Sequence, residues 1–218
     1  MDSSLQVIID ALPLLLQGTL VTLKIVIISL LIALVIGLVS GLMSTSLNRF
    51  LRLIASLYVD LIRGTPLLVQ IFFIYFGLPT FLDIRIPAET AGIIAISLNA
   101  GAYISEIFRA GINSISRGQH EAARSLGLNR YQTMRLVVLP QAIRRMIPTF
   151  VNQFIVTIKD TSLLSAIGIA ELTQSGEIIV SSNFRAFEIY GVVGVFYLIM
   201  IMILSRASRY VERRYAIG

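Results

Sequence analysis

Several residue types that define common protein classes are absent or rare in this chain. There is no cysteine, so neither a disulfide framework nor a cysteine-ligated metal site can form. The one histidine, His120, cannot assemble a metal site alone, and the residues around it do not offer the set of carboxylates that such a site would need. No G-x-x-x-x-G-K-[ST] phosphate loop is present, so the chain cannot hydrolyse ATP by that route. No Ser-His, His-Glu-x-x-His or two-Asp arrangement indicates an intramembrane enzyme, and we expect a protein that is not an enzyme.

Charge is also scarce, and the apolar content is correspondingly high. Only 14% of the 218 residues are charged and 56% are hydrophobic, with a mean hydropathy of +0.84, whereas soluble domains are about 25% charged. A spanning helix needs about 20 apolar residues. We therefore predict an all-α membrane protein, a single transmembrane domain over 1–218 with about five spanning helices. The five apolar runs are 14–43, 53–78, 88–112, a run after Pro148, and 189–204.

The positions of the arginines predict the orientation of these spans. The segment before the first run has no Lys or Arg, so it does not resemble a secretory signal and the first run is predicted to be a retained span. Twelve loop arginines fall on one side of the predicted topology and only Arg85 and Arg185 on the other. The basic side faces the cytoplasm. We expect a multi-pass protein of the inner or plasma membrane with its N-terminus outside and its C-terminus inside. This topology also accounts for the net charge of +6, so we expect no nucleic acid partner.

One polar stretch, EAARSLGLNRYQTMRLVVLP at 121–140, lies between the third and fourth runs and is therefore predicted to be cytoplasmic. Its apolar residues form an incomplete stripe along a helix. It can lie on the membrane surface as an amphipathic helix or dock a cytoplasmic partner. Gly127 allows another backbone to approach closely, and Pro140 predicts a bend.

This stretch resembles the EAA loop of the membrane subunits of ATP-binding-cassette (ABC) importers. The resemblance extends to RGTP at 63–66, NAGAYISEIFRAGI at 99–112 and KDTSLLSAIG at 159–168, which are similar to the polar amino acid permease branch. It implies a type I importer permease with a five-helix core and a coupling helix within about 117–140. The residues to which it gives the coupling role are Glu121, Ala122, Ala123, Gly127, Leu139 and Pro140. Contact with an ATPase is expected through Glu121, Ala123 and Gly127.

The same resemblance implies the partners. Two cytoplasmic ATPase subunits would bind ATP and Mg²⁺, and an extracytoplasmic binding protein would deliver the solute, while this chain itself carries no cofactor and no metal. Five spans are too few to enclose a path easily, so a second permease chain is expected. A homodimer is favoured, with a sister permease as the alternative.

The fourth run contains a charged pair at membrane depth. Lys159 and Asp160 come about a dozen residues after Pro148, which is roughly 18 Å along a helix and short of the roughly 30 Å hydrocarbon core. Asp160, Thr161 and Ser162 have the composition of a helix N-cap. A helix that breaks and restarts here would bind a carboxylate at its new N-terminus and an ammonium group at Asp160. Alternatively, Lys159 and Asp160 neutralise each other.

In the third run, Asn99, Tyr103 and Glu106 share one helical face. Glu106 either faces the substrate or pairs with Arg109 three residues later. In the second run, Asp60 and Arg63 are predicted to pair, and Gly64-Thr65-Pro66 to kink the helix.

Two unpaired acids, Glu106 and Asp160, favour a basic amino acid: arginine, lysine or histidine. Glutamine or glutamate is the alternative, because Arg109 and Lys159 can cancel both charges. We therefore expect an ATP-driven importer of polar, basic amino acids that works by alternating access, with a passive oligomeric channel as the competing class.

Overall fold

The computed structural model describes residues 2–215, and every regular element in that range is helical. The three longest α-helices are α1 (Asp2–Ser44), α5 (Ala88–Asn113) and α10 (Ala186–Tyr215). The others, in chain order, are α2 (Arg49–Arg63), α3 (Leu67–Phe72), α4 (Leu78–Leu82), α6 (Arg117–Ser125), α7 (Arg130–Thr133), α8 (Leu139–Asp160) and α9 (Leu172–Asn183). Two π-turns, Phe73–Gly77 and Met134–Val138, and a 3-10 helix, Thr161–Ile167, join some of them end to end.

The number of membrane spans agrees with the sequence-based prediction. Three helices are long and apolar enough to cross a bilayer, within Ser4–Ser44, Ala88–Asn113 and Ala186–Arg206. Two further spans are bent pairs: α2 with α3–α4, at an angle of 103°, and the long helix ending at Ile167 with α9, at 47°. Counting each bent pair as one span gives up to five, which confirms the prediction of about five.

The longest interface of the fold joins α1 to α5. Small residues allow the two helices to approach closely, as is usual between membrane helices. A Cβ added to Gly37 would lie 2.3 Å from Ile104 Cγ2, and Ala33, Ala100 and Ile104 form a buried cluster beside it. Other faces of α1 and α10 expose large apolar side chains, including Leu31 at 62% and Ile203 at 64%. In water such a surface would be unusual, so these faces are suited to contact lipid.

Both π-turns come immediately before a Leu-Pro pair. The Leu78 N–H bonds the Phe73 carbonyl and the Leu139 N–H bonds the Met134 carbonyl, each five residues back. Proline normally clashes with the carbonyl four residues earlier and removes a hydrogen bond. The wider π-turn moves that carbonyl away from the ring. The bend predicted at Pro140 is therefore wrong: the helix continues through it from Arg130 to Ile167.

The predicted restart of the fourth run at Asp160 is also wrong. The helix begins before Pro148, which lies inside α8, and after Asp160 it tightens into the 3-10 helix instead of starting again. Asp160 has helical dihedral angles and its side chain caps nothing. The chain turns at Gly168, and the true N-cap is Glu171, whose carboxylate accepts a hydrogen bond from the Gln174 N–H at 2.8 Å.

Substitution of Gly37 by alanine tests the close packing of α1 on α5. We expect Gly37→Ala to lower stability by about 1–3 kcal/mol, the usual cost of overpacking, because both the Ile104 side chain and the Gly101 carbonyl lie within 3.0 Å of the new Cβ. The measurement is the thermal unfolding midpoint of the purified protein in detergent.

Gly191→Ala is the matched control, because no atom lies within 4 Å of its added Cβ. Equal midpoints for the two variants would contradict the close packing.

Candidate functional site

A polar cavity of about 770 Å³ lies where the bend of the second span meets α5 and α8. The bend contributes Arg63, Gly64, Thr65, Pro66 and Leu67 to its wall. Broken helices at membrane depth commonly form the solute sites of transporters, because their irregular backbone must line a cavity or be buried in protein. The kink predicted at Gly64-Thr65-Pro66 is confirmed, and it forms part of this site.

Four of the predicted substrate residues line this one cavity. They are Asn99, Tyr103 and Glu106 on α5 and Asp160 at the end of α8. The helical spacing of the first three places them on the same face, and the packing of α5 against α8 brings Asp160 opposite.

Thr161 and Ser162 do not line the cavity. Thr161 is completely buried and its hydroxyl donates to the Ile158 carbonyl at 2.7 Å. The Ser162 hydroxyl donates to the Lys159 carbonyl, also at 2.7 Å. Both hydroxyls therefore bond the preceding turn, and the helix N-terminus that was expected to bind a carboxylate is absent from this position.

The cavity also contains residues that the sequence did not single out. Thr149, Asn152 and Gln153 project from α8, and Arg63 lies at the end of α2. The spacing of 149, 152 and 153 is that of one helical face, and this was the available signal. The signal is weak, because these side chains are uncharged and the charged pair Lys159-Asp160 dominates the pattern of the fourth run.

Glu106 is at the centre of an ion-pair network. Arg109 donates two hydrogen bonds to its carboxylate, one from Nε at 3.0 Å and one from Nη2. Arg63 Nη1 lies 3.8 Å from the same group, and the Arg63 guanidinium lies 5.3 Å from the Tyr103 ring centroid. The predicted pairing of Asp60 with Arg63 is wrong, because Arg63 turns towards α5 and Asp60 accepts a hydrogen bond from Ser56.

Asp160 differs from Glu106 in having no such partner. Among the described residues, no lysine or arginine lies within 4.0 Å of its carboxylate, and the neighbouring Lys159 is exposed. A second cavity of about 430 Å³ adjoins the first and shares Arg63 and Glu106 with it. The network around Glu106 thus stands between two polar cavities, one of which contains Asp160.

The predicted coupling segment is two short helices and a turn, not one helix. α6 ends in a Schellman motif, in which the Leu128 N–H bonds the Ala123 carbonyl and the Gly127 N–H bonds that of Arg124. Asn129 and Gln132 then form a capping box that opens α7. Gly127 has a φ of +83° and no atom near its Cα hydrogens, so the backbone conformation, and not a close approach within the chain, requires glycine there.

The residues expected to couple are not equally accessible. Glu121, Ala122, Gly127 and Pro140 are exposed and Leu139 is half-buried. Ala123 is only 3% exposed, because it packs inside the chain. Direct contact of Ala123 with a partner, as predicted, does not fit this burial. Leu126, at 83% exposed, is an apolar side chain that the segment does present.

One contact joins the two helical walls of the cavity beside this segment, and two more tie the segment to those walls. Arg145 of α8 donates to the Ser114 carbonyl at the end of α5 at 2.5 Å. Gln141 of α8 donates to Gln119 of α6 at 3.2 Å. A buried cluster of Ile115, Val138, Ala142 and Met146 joins the same elements. Displacement of the segment would therefore act on α5 and α8 together.

An all-helical membrane chain with a polar cavity at a broken span, joined to an exposed polar segment, has the architecture of a solute permease. The family model described as binding-protein-dependent transport system inner membrane component matches residues 33–217. The chain belongs to this family, and the resemblance to amino acid permeases of type I ABC importers is confirmed.

Relatives and solved structures agree with this assignment. The glutamine transport system permease protein GlnP of Escherichia coli (strain K12) is 47% identical over 205 residues, 94% of each chain. A putative GlnP of Rickettsia typhi is 37% identical over 92% of each. The crystal structure of an amino acid ABC transporter with histidines has a TM-score of 0.91 and 42% identity, covering 94% of this chain and 96% of that one. The MetNI methionine transporter, at 21% identity and a TM-score of 0.78, shares the fold.

Replacement of Gly127 tests the turn inside the coupling segment. Alanine at a positive φ costs about 1–2 kcal/mol, so Gly127→Ala should open the Schellman motif more often. Amide hydrogen exchange of residues 126–128 in the purified protein should become faster by about tenfold, the equivalent of about 1.4 kcal/mol.

Gly118→Ala is the control, because Gly118 lies within α6 with no atom within 4 Å of an added Cβ. Alanine favours helix there, so exchange should stay equal or slow. Equal acceleration by both substitutions would show that the left-handed conformation is not what limits the turn.

Proposed function

We propose that this chain is the permease of an importer for a neutral polar amino acid, with glutamine as the preferred substrate. The observation that carries the proposal is the ion-pair network: Arg109 and Arg63 already balance Glu106. Asp160 is then the one acid of the cavity left for a ligand. The named function of the relatives from Escherichia coli and Rickettsia, glutamine transport, points the same way.

A neutral substrate replaces the basic amino acid that was expected from the sequence. That expectation required two free carboxylates, one for the ammonium group and one for a cationic side chain. A charge at membrane depth is stabilised when it has a partner, and Glu106 has two. A cationic side chain would have to displace a guanidinium from Glu106 in order to bind there. The neighbour solved with histidines makes histidine the competing candidate to measure.

The cavity contains one group for each charge of a zwitterion, the Asp160 carboxylate and the Arg63 guanidinium. Asp160 accepts the α-ammonium group, and the Arg63 guanidinium binds the α-carboxylate, since guanidinium groups bind carboxylates with paired hydrogen bonds. The group proposed to bind the α-carboxylate is therefore Arg63 at the end of α2, and not the helix end predicted at Thr161, which is buried. The amide side chains of Asn99, Asn152 and Gln153 remain for the uncharged part of the substrate.

Transport also needs the partners that the family implies. The exposed face of the coupling segment, with Glu121, Ala122, Leu126 and Gly127, docks in one of two cytoplasmic ATPase subunits, which bind ATP and Mg²⁺. A binding protein delivers the amino acid on the other side, and a second copy of this chain completes the path. The proposal keeps the orientation predicted from the arginines, with the N-terminus outside and the C-terminus in the cytoplasm. A passive channel needs no docking element, so it would give no function to the exposed segment or to the contacts that connect it with α5 and α8.

Uptake of labelled glutamine tests the substrate and the role of Asp160. In cells with the whole importer, Asp160→Asn should lower uptake at least about tenfold, because one lost charge-assisted hydrogen bond costs about 1.5–3 kcal/mol. Unlabelled arginine and histidine should compete with glutamine only weakly in the unsubstituted importer.

Lys159→Gln is the control, because Lys159 is the exposed neighbour on the same helix end; it should leave uptake unchanged. Unchanged uptake by Asp160→Asn at normal membrane levels would remove Asp160 from the site. Competition by arginine as strong as that by glutamine itself would restore the basic preference.

Reversal of the charge at Glu121 tests docking. Glu121→Lys should leave the protein folded, because the side chain is exposed, yet raise the number of ATP molecules hydrolysed for each glutamine imported into proteoliposomes. Truncating one partner of a buried interfacial charge pair costs about 2–5 kcal/mol, so docking through such a pair predicts that the ATPase binds at least about 30-fold more weakly and that this ratio rises.

Asn113→Lys places the same cationic side chain at an exposed position at the end of α5 and should leave that ratio unchanged. A normal ratio for Glu121→Lys would show that Glu121 takes no part in coupling.

A further inference from the structure

The bend at Gly64-Thr65-Pro66 is held by the side chain of Gln70. Where the helix breaks, carbonyl groups lose their partners, and within a membrane they must find donors in the protein. Gln70 is 8% exposed. Its Nε2 lies 2.7 Å from the Ile62 carbonyl, 3.1 Å from the Thr65 carbonyl and 2.9 Å from Thr65 Oγ1.

These contacts determine which way the Gln70 amide faces. All three neighbours of Nε2 are oxygens, and the Thr65 hydroxyl already donates its hydrogen to the Leu61 carbonyl at 2.9 Å. Rotation of the amide by 180° would place Oε1 against three acceptors. The nitrogen therefore faces the bend, and Oε1 faces away from it, towards α5.

Asn99 is the residue that meets Oε1. Its Nδ2 donates to Gln70 Oε1 at 3.1 Å, so the orientation of the Asn99 amide follows from that of Gln70. Asn99 is 7% exposed and lines the large cavity. Within the described residues no donor bonds its Oδ1, so this oxygen is an acceptor left for a ligand; Nδ2 keeps one further hydrogen besides the one that it donates to Gln70. An asparagine free to rotate could exchange the positions of its donor and its acceptor; this one keeps the acceptor at the position of Oδ1.

We propose that Gln70 is a positioning residue for substrate selection: it orients Asn99 so that the cavity presents a hydrogen-bond acceptor to the substrate side chain. The proposal rests on the function proposed above, and it specifies which side chains are accepted. A carboxamide can donate to Asn99 Oδ1, whereas a side chain of the same shape with only acceptors leaves that oxygen unpaired. Sites built around a fixed hydrogen bond reject analogues that cannot form it by about tenfold or far more.

A pair of ligands tests this without any substitution. L-Glutamine and L-glutamate γ-methyl ester are both zwitterions with uncharged side chains, but only glutamine has a donor at its end. The ester is larger by one heavy atom, so the γ-N-methylamide of L-glutamate, which has the size of the ester and keeps one N–H donor, is the size control and should bind more tightly than the ester. Affinities are measured with the importer complex in lipid nanodiscs, without the soluble binding protein, whose own selectivity would mask that of the cavity. We expect the importer to bind glutamine at least about tenfold more tightly than the ester.

Two variants then separate orientation from support of the bend. Gln70→Leu releases the Asn99 amide, which can then rotate to suit either ligand. The ratio of the affinity for glutamine to the affinity for the ester should therefore fall towards one. Adding Asn99→Asp to that variant should restore the preference, because both oxygens of a carboxylate are acceptors and no orientation is needed. If Gln70 merely supported the bend, Asn99→Asp would not restore selectivity.

The outcomes distinguish this proposal from the proposed function. Equal binding of glutamine and the ester by the unsubstituted importer would overturn the selection mechanism and leave glutamine transport standing. The selection mechanism would also be overturned if Gln70→Leu kept the preference for glutamine over the ester. The same holds if adding Asn99→Asp to that variant failed to restore the preference. An importer that binds no glutamine would overturn the proposed function and, with it, this proposal. The ligand comparison decides the matter by itself if Gln70→Leu does not assemble.

Discussion

Inside a bilayer a backbone has no water to bond, and every interruption of a helix must therefore find its hydrogen-bond partners within the protein. This constraint shapes each irregular point of the chain. At the bend of the second span, Gln70 bonds the carbonyls of Ile62 and Thr65. Before α9, Glu171 caps the new helix and accepts a second hydrogen bond from Tyr197. At each Leu-Pro pair, a π-turn makes room for the proline.

The cavity exists because one of these interruptions faces α5 and α8. The bend directs Arg63 towards Glu106 and Tyr103, where Arg109 completes the ion-pair network. Glu106, which the sequence pattern suggested as a partner for a cationic substrate, is thereby paired with arginines of the protein itself. The remaining carboxylate of the cavity, Asp160, has no lysine or arginine within 4.0 Å among the described residues, and this is the basis for proposing a neutral amino acid with one ammonium group over a basic one with two cationic groups.

The cavity and the exposed coupling segment are connected through the same two helices, α5 and α8. Arg145 bonds the end of α5 from α8, and Gln141 bonds α6. Because α5 and α8 carry most of the cavity wall, force applied to the exposed segment reaches both sides of the site. The Schellman motif and the capping box give that segment a defined shape, which a docking surface requires.

The sequence by itself determined the class of protein, the approximate number of spans, the kink at Gly64-Thr65-Pro66, and the shared face of Asn99, Tyr103 and Glu106. These follow from hydropathy, from backbone restrictions of single residues and from helical periodicity, all of which are local along the chain. Only the tertiary structure decided that Arg63 pairs with Glu106 instead of Asp60, that Asp160 caps no helix, and that Gln70 meets Asn99. Each of these depends on which helices become neighbours, and charge pairing or amide orientation between residues 29 or 43 positions apart leaves no periodic signal in a single sequence.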